Sequence, residues 1–165
     1  MTIRTVVVER VSVVSAKPIE AVVAVLEAAI GHPDMVEFGK TIQTAKTFAD
    51  FQSAVGSGLG KTGLMMFLKL DHGSVLRKQT GADKPKIVRF IVGNPLIMKD
   101  MVRHVPDAGS YAPVTILVDE RSEGVSLTYD RMASLLSPYG NAEALAVARQ
   151  LDQKIESLMQ EAALS

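Results

Sequence analysis

Three polar residues lie at the ends of predicted strands, in the loops where binding and catalytic side chains concentrate. His72 follows an Asp at the end of one apolar segment, Asn94 stands between a Gly and a Pro, and Tyr129 ends a third segment. Imidazole, amide and hydroxyl groups of this kind orient small molecules in pockets. We therefore predict a small-ligand site containing His72, Asn94 and Tyr129. The alternative is an enzyme in which His72 acts as general acid or base, since imidazoles titrate near neutral pH.

Each of these residues also has a structural use. An Asn that precedes a Pro at a first helical position, as Asn94 does, is a favourable N-cap. Tyr129 suits the rim of a sheet, and His72 suits a turn. The preceding Asp71 does not imply a pair with His72, because neighbouring side chains of a strand point to opposite faces. The residues alone leave both uses open.

Residues 55–62 approach a phosphate-binding loop in their letters, Val-Gly-Ser-Gly-Leu-Gly-Lys-Thr. That motif requires Gly at position 55, where Val55 stands. It must also leave a strand and enter a helix, whose N-terminal amides bind the phosphate. Here a predicted helix precedes the run and a predicted strand follows it. We therefore predict a flexible loop.

The residue types argue against metal and thiol chemistry. Cys is absent, which excludes disulfides and thiolate ligands. The three His residues, at positions 32, 72 and 104, lack the spacing of known zinc motifs, and no nucleophile elbow is present. We predict no metal and no cofactor. Haem bound through a His or one of the eight Met residues is kept as an alternative.

Charge and hydropathy exclude two classes of partner. Eighteen basic residues balance eighteen acidic ones, and aromatic residues are 5% with no Trp. Nucleic-acid binding needs basic patches and stacking platforms, so we expect no nucleic-acid partner. No segment approaches the roughly 20 apolar residues that span a bilayer. Charges near the N-terminus interrupt any signal-peptide pattern, so we expect no membrane association and a cytoplasmic location.

Hydrophobic periodicity predicts an α+β fold with a mixed, largely antiparallel sheet packed with helices. The predicted strands are 3–14, 64–71, 86–92, 114–118 and 125–129, and the predicted helices are 18–30, 47–55, 95–104 and one that begins at Asn141. The link 120–124 is short enough for a hairpin. The region 34–60 gives few other signals. No repeat or linker appears, so we predict one domain over residues 1–165.

Residues 88–130 contain four segments in a recognisable order, namely Arg-Phe-Ile-Val-Gly-Asn-Pro (89–95), Pro-Asp-Ala-Gly (106–109), Pro-Val-Thr-Ile-Leu-Val-Asp-Glu (113–120) and Gly-Val-Ser-Leu-Thr-Tyr (124–129). Their order and spacing resemble the bacterial and archaeal family called domain of unknown function 302. Asp-His-Gly at 71–73 resembles a step found in many members. The helix after Asn94 and the Arg that follows Asp130 depart from the family pattern, so a site there would differ.

The resemblance implies a single-copy fold akin to one half of the TATA-box-binding protein, and a homodimer. It implies no activity, because the family's activity is not established. A fold likeness does not imply DNA binding either. We therefore predict a dimeric small-ligand-binding module. The alternatives are an enzyme that uses His72, a haem-binding protein, or a structural interaction protein.

Overall fold

The structure is a computed structural model that describes residue 1 and residues 3–164. The strands are β1 (Arg10–Ser15), β2 (Met65–Asp71), β3 (Ile87–Gly93), β4 (Val114–Arg121) and β5 (Gly124–Asp130). The α-helices are α1 (Ile19–Ala29), α2 (Met35–Thr44), α3 (Phe48–Gly58), α4 (Gly73–Thr80), α5 (Pro95–Val102), α6 (Met132–Leu136) and α7 (Ala142–Leu164). Short 3-10 turns occur at Pro106–Ser110 and Ser137–Tyr139.

The five strands form one sheet in the order β1-β5-β4-β3-β2, with every neighbouring pair antiparallel. The predicted α+β class is confirmed. The predicted hairpin joins β4 to β5 through a two-residue turn, and Arg121 pairs with Gly124. Gly124 has a φ of 132°, which favours glycine at the exit of this turn.

The sheet has two chemically different faces, because side chains alternate along each strand. One face, which we call the core face, carries fully buried residues such as Phe90, Ile116 and Leu127. Helices α1 and α7 bury their apolar sides in the same core, and burial of these apolar surfaces is the main source of stability. The opposite face, which we call the open face, carries Ser12, Val14, Arg89, Ile91, Thr115, Leu117, Asp119, Thr128 and Asp130.

The first strand is shorter than the predicted 3–14. In the register of the sheet Arg10 lies opposite Asp130, where β5 ends. Residues 3–9 therefore have no neighbouring strand in the part of the chain that the structure describes. A Val-rich sequence favours strand formation, but a strand also needs a partner.

Helix α3 confirms the predicted helix at 47–55 and extends it to Gly58. It begins with a capping box formed between Thr47 and Asp50. Helices α2, α4 and α6 were not predicted. Helix α4 begins directly after His72, where we expected a turn, and Asp71 accepts a hydrogen bond from the Ser74 N–H in its first turn. These helices have 5 to 10 residues, so each spans at most about three turns, which is too short to separate a helical pattern from a loop.

The glycine run before β2 is not the predicted flexible loop, because its backbone packs closely against the backbone at Gly31. The N–H groups of Gly31 and Gly60 both donate to the Leu64 carbonyl, at 2.9 Å each. A Cβ atom at Gly60 would lie 2.4 Å from the Gly31 nitrogen, so only glycine allows the two segments to approach this closely. The run leaves helix α3 and enters β2, as predicted, which excludes a phosphate-binding loop.

Candidate functional site

The three predicted site residues lie in three different surroundings. Tyr129 is on the core face and 1% exposed. His72 lines a groove on the open face, on the other side of the sheet. Asn94 lines an apolar cavity at the N-terminus of α5. The structure therefore does not bring His72, Asn94 and Tyr129 together in one pocket.

Tyr129 belongs to a buried hydrogen-bond network. Its hydroxyl donates to Asp152 Oδ1 at 2.7 Å. The same carboxylate accepts from the N–H groups of Met132 at 2.7 Å and Ala133 at 3.0 Å, which lie at the start of α6. Burial raises the pKa of Tyr129, and the charge of Asp152 raises it further. Burial also raises the pKa of Asp152. This network joins β5, α6 and α7.

Asn94 is the N-cap of α5, which is the structural use recognised in the sequence. Its Oδ1 accepts from the Leu96 N–H at 2.8 Å, and its Nδ2 donates to the Gly63 carbonyl at 3.0 Å. The second bond ties α5 to the turn before β2. Both functions of the amide are therefore engaged within the protein.

His72 is exposed, and its ring makes no hydrogen bond or ion pair within residue 1 and residues 3–164. The neighbouring Asp71 binds Arg77 instead, at 2.6 Å, and this bond lowers the pKa of the Asp71 carboxyl. A general acid or base needs a proton-transfer partner within hydrogen-bond reach. The described residues supply none to His72.

The groove that contains His72 is a pocket of ≈ 470 Å³ on the open face. We call it the arginine groove. Its lining residues are Arg10, Ser12, His72, Arg89, Tyr111, Val114, Thr115, Leu117, Arg121, Thr128, Asp130 and Leu135. Hydroxyl groups and cations thus surround a short apolar floor, which is the mixture of groups found in sites for polar small molecules.

Two of the three arginines in the groove are paired with carboxylates. Arg10 donates two parallel hydrogen bonds to the Asp130 carboxylate, from Nε at 2.7 Å and from Nη2 at 2.8 Å. This contact lowers the pKa of the Asp130 carboxyl. Arg121 binds Asp119 at 2.7 Å. Surface pairs of this kind contribute little to stability, but they neutralise the charge of both groups.

Arg89 differs from both. Its Nε and Nη2 donate only to the Thr115 hydroxyl, at 3.3 and 3.0 Å, and no carboxylate binds it within the described chain. Its neighbours across the strands are Leu70 on β2 and Leu117 on β4. The guanidinium is half-buried. A cation placed beside apolar residues without an anion is unfavourable, and such a group is a candidate for ligand binding.

Sequence reasoning missed Arg89, although a signal was present. The residue interrupts an otherwise apolar strand, Ile-Val-Arg-Phe-Ile-Val-Gly, which has a neighbouring strand on both sides. Charged residues are rarely buried unless they are paired. A single Arg in a central strand therefore indicates either a partner on a neighbouring strand or a site.

Other predicted features have structural explanations. The His32 ring lies 2.8 Å from the Glu27 carbonyl near the C-terminus of α1, as expected for a histidine at a helix end. The apolar cavity lined by Met98 and Met101 contains no His residue.

Within residue 1 and residues 3–164, no cluster of three or more potential metal ligands occurs. In the same residues, no helix has the length and apolar character that crossing a membrane requires.

A family model described as "Domain of unknown function DUF302" matches residues 38–162. The chain belongs to this family. The resemblance seen in residues 88–130 is thereby confirmed. No curated protein matches the chain.

One similar solved structure is the "uncharacterized conserved protein DUF302 from Bacillus stearothermophilus". It has a TM-score of 0.63 at 10% sequence identity, and the match covers 93% of this chain and 97% of that one. At this identity the likeness shows the fold alone. The function of the chain is therefore unknown from its family, and the likeness to half of a TATA-box-binding protein stays a prediction.

Proposed function

We propose that this DUF302 chain is a small-ligand-binding module, and that its ligand carries an anionic group bound by Arg89 in the arginine groove. The observation that carries the proposal is the half-buried Arg89 guanidinium, which has only the Thr115 hydroxyl as a partner in the described chain. This proposal keeps His72 as a lining residue of the site. It gives no role in the site to Asn94 or Tyr129.

The donor geometry favours a carboxylate or phosphate. A guanidinium has five N–H donors in a planar fork that fits two oxygens of either group. The Nη1 of Arg89 has no partner among the described residues. Hydrogen bonds between charged groups are about twice as strong as neutral ones. An anion bound here would also remove the cost of holding an uncompensated cation beside Leu70 and Leu117.

The rest of the groove suits the uncharged part of a small molecule. Its volume of ≈ 470 Å³ lies within the range of roughly 300–1,000 Å³ that is common for small-ligand sites. Leu117 and Leu135 supply apolar contacts, whereas Ser12 and Thr128 supply hydroxyl groups. The Tyr111 hydroxyl lies 3.3 Å from that of Tyr139, at the end of the groove near the start of β4.

We also propose that the protein is a homodimer in the cytoplasm, as predicted from the sequence. Val7, Val8 and Val14, which lie on or just before the edge strand β1, are 80%, 42% and 52% exposed and offer apolar surface to a second copy. Light scattering coupled to size-exclusion chromatography measures the mass directly, and a monomer at micromolar concentration would contradict the proposal. Cell fractionation tests the location.

The ligand proposal is tested by a thermal-shift screen of anionic metabolites, each paired with an uncharged analogue, followed by titration calorimetry on the hits. We expect stabilisation by at least one carboxylate or phosphate compound and none by its uncharged analogue. Arg89→Leu removes a charge-assisted bond of about 1.5–3 kcal/mol, so the dissociation constant should rise roughly ten- to hundredfold. The unliganded Arg89→Leu protein should be at least as stable as the wild type, because Leu suits this position in the sheet.

Arg149→Leu is the matched control, since Arg149 is exposed on α7 and lies outside the groove. It removes the same charge and should leave the affinity unchanged. An anionic hit that binds Arg89→Leu as tightly as the wild type would contradict the proposed role of Arg89. A screen that yields only uncharged ligands would contradict the ligand class.

A further inference from the structure

A second pocket lies at the N-terminus of α5, where β3 ends and β4 begins. We call it the α5 cavity. It has a volume of ≈ 130 Å³, and its apolar walls include Phe67, Ile97, Met98, Met101, Val114 and Leu151. Met101, Val114 and Leu151 are buried and form its floor, whereas Pro113 at its edge is exposed. The cavity is therefore reached from the surface.

The side chains of the α5 cavity offer little hydrogen bonding to a ligand. Asn94 is the one polar side chain among the residues that line it. Its amide oxygen already accepts from the Leu96 N–H, and one of its two amide N–H groups already donates to the Gly63 carbonyl. A polar or charged ligand would lose most of its hydration without compensation. The chemistry of the walls therefore selects an uncharged apolar group.

Gly93 lets two residues of the cavity wall pack against the end of β3. A Cβ atom at position 93 would lie 3.3 Å from the Pro113 Cβ and 3.6 Å from the Phe67 Cε2, and all three residues line the cavity. The φ of Gly93 is not in the left-handed region, so the backbone conformation does not require glycine. A side chain at position 93 would therefore displace Pro113 and Phe67 and change the shape of the cavity.

We infer that the α5 cavity binds an uncharged aromatic ring of about the size of benzene. The volume of ≈ 130 Å³ is close to that of engineered apolar cavities of roughly 150 Å³, which bind benzene. The thioethers of Met98 and Met101 line the cavity, and sulfur makes favourable contacts with aromatic rings. Met side chains also adapt their shape to a ligand. This site is chemically different from the arginine groove, where the lining is cationic and hydroxylic.

The inference is tested with benzene as the probe, on full-length protein labelled with carbon-13 at its methionine methyl groups. The chain has eight Met residues, of which Met98 and Met101 line the cavity. We expect saturable shifts of these two methyl resonances. Ala112→Leu adds a side chain at the cavity wall and should weaken benzene binding tenfold or more. Ala146→Leu makes the same change on the exposed side of α7 and should leave binding unchanged.

Ile97→Phe provides a second filled variant, in case Ala112→Leu does not fold. The inference is wrong if wild-type protein shows no shift up to the solubility limit of benzene. It is also wrong if the largest shifts occur at the buried Met132 and Met159, or if both filled variants bind benzene as tightly as the wild type. Benzene carries no charge, so either result leaves the test of Arg89 unaffected.

Discussion

Replacing Tyr129 with Phe removes one hydroxyl group from the core and tests the buried carboxylate that it contacts. The hydroxyl donates to Asp152 Oδ1 at 2.7 Å, and both side chains are buried. In Tyr129→Phe the ring stays in the core, while Asp152 keeps only its two bonds from the backbone of α6. The change removes the bond to Asp152 and a longer bond that the hydroxyl accepts from the Met132 N–H at 3.3 Å. That N–H keeps Asp152 as its acceptor at 2.7 Å, so the main loss is one hydrogen bond to a charged group.

The expected cost is about 2 kcal/mol, because hydrogen bonds to charged groups contribute roughly 1.5–3 kcal/mol. Tyr111→Phe is the matched control. The Tyr111 hydroxyl lies 3.3 Å from the Tyr139 hydroxyl, which is a longer contact between neutral groups in a half-buried position. Its loss should cost about 0.5–1 kcal/mol. Urea denaturation gives both values, and the slope with urea concentration shows whether unfolding stays two-state.

The pH dependence provides an independent measurement on the same pair. Burial raises the pKa of Asp152 above its ordinary value of 3.8. The folded state then binds this proton more tightly than the unfolded state does. The contribution of Asp152 to stability is therefore largest below pH 3.8 and falls as the pH rises through the folded-state pKa. Asp152→Asn does not titrate, so its stability relative to the wild type should improve with rising pH in that window.

Two results would refute this reasoning. If Tyr129→Phe costs no more than Tyr111→Phe, the bond to Asp152 does not contribute as a charge-assisted bond. If the stability difference between Asp152→Asn and the wild type is constant from pH 3 to about pH 7, burial does not raise the pKa of this carboxyl. Other acidic groups also affect acid stability, so only the difference between the two proteins is informative.

Two further predictions concern the backbone and the cap of α5. Gly60→Ala should lower the free energy of unfolding by about 3 kcal/mol or more, because its Cβ would overlap the Gly31 backbone. Gly39→Ala in α2 meets no atom within 4 Å and should raise the free energy of unfolding by roughly 0.5–1 kcal/mol. Urea denaturation measures both, and equal effects would exclude close packing between Gly60 and Gly31. Asn94→Ala should cost about 1–2 kcal/mol through loss of the cap, and calorimetry should find ligand affinity in the arginine groove unchanged.

The sequence predicts best those features that depend on neighbouring residues. The Asn94 cap forms as the sequence indicates. The helices predicted to begin at residue 47 and at Asn141 do begin there, and Thr47 and Asn141 cap them. The β4–β5 hairpin forms for the same reason, since a short link limits how two strands can pair. In each case the interacting groups lie within a few residues of each other, so the pattern contains the whole interaction.

The candidate site depends on an arrangement that local patterns do not contain. Thr128 and Tyr129 are neighbours in β5, yet Thr128 lines the arginine groove and Tyr129 lies under the helices. The packing of α1 and α7 against the sheet decides whether Thr128 or Tyr129 points into the core. That packing involves residues more than a hundred positions apart. The sequence suggested Tyr129 as a ligand-binding residue only because it has a hydroxyl group. A buried Tyr has the same group, so residue type cannot distinguish the two roles.

The open face is a good candidate for a ligand site because two of its arginines are paired with carboxylates and Arg89 is not. A sheet face that only meets water is expected to pair its charges across strands, as Arg10 and Asp130 do. Arg89 instead lies between two leucines in the register of the sheet, where a leucine would pack better and carry no desolvation cost. An unpaired guanidinium at this position thus lowers the stability of the unliganded protein. An anionic ligand would offset that cost on binding, which is why we assign the site to Arg89 rather than to the paired arginines.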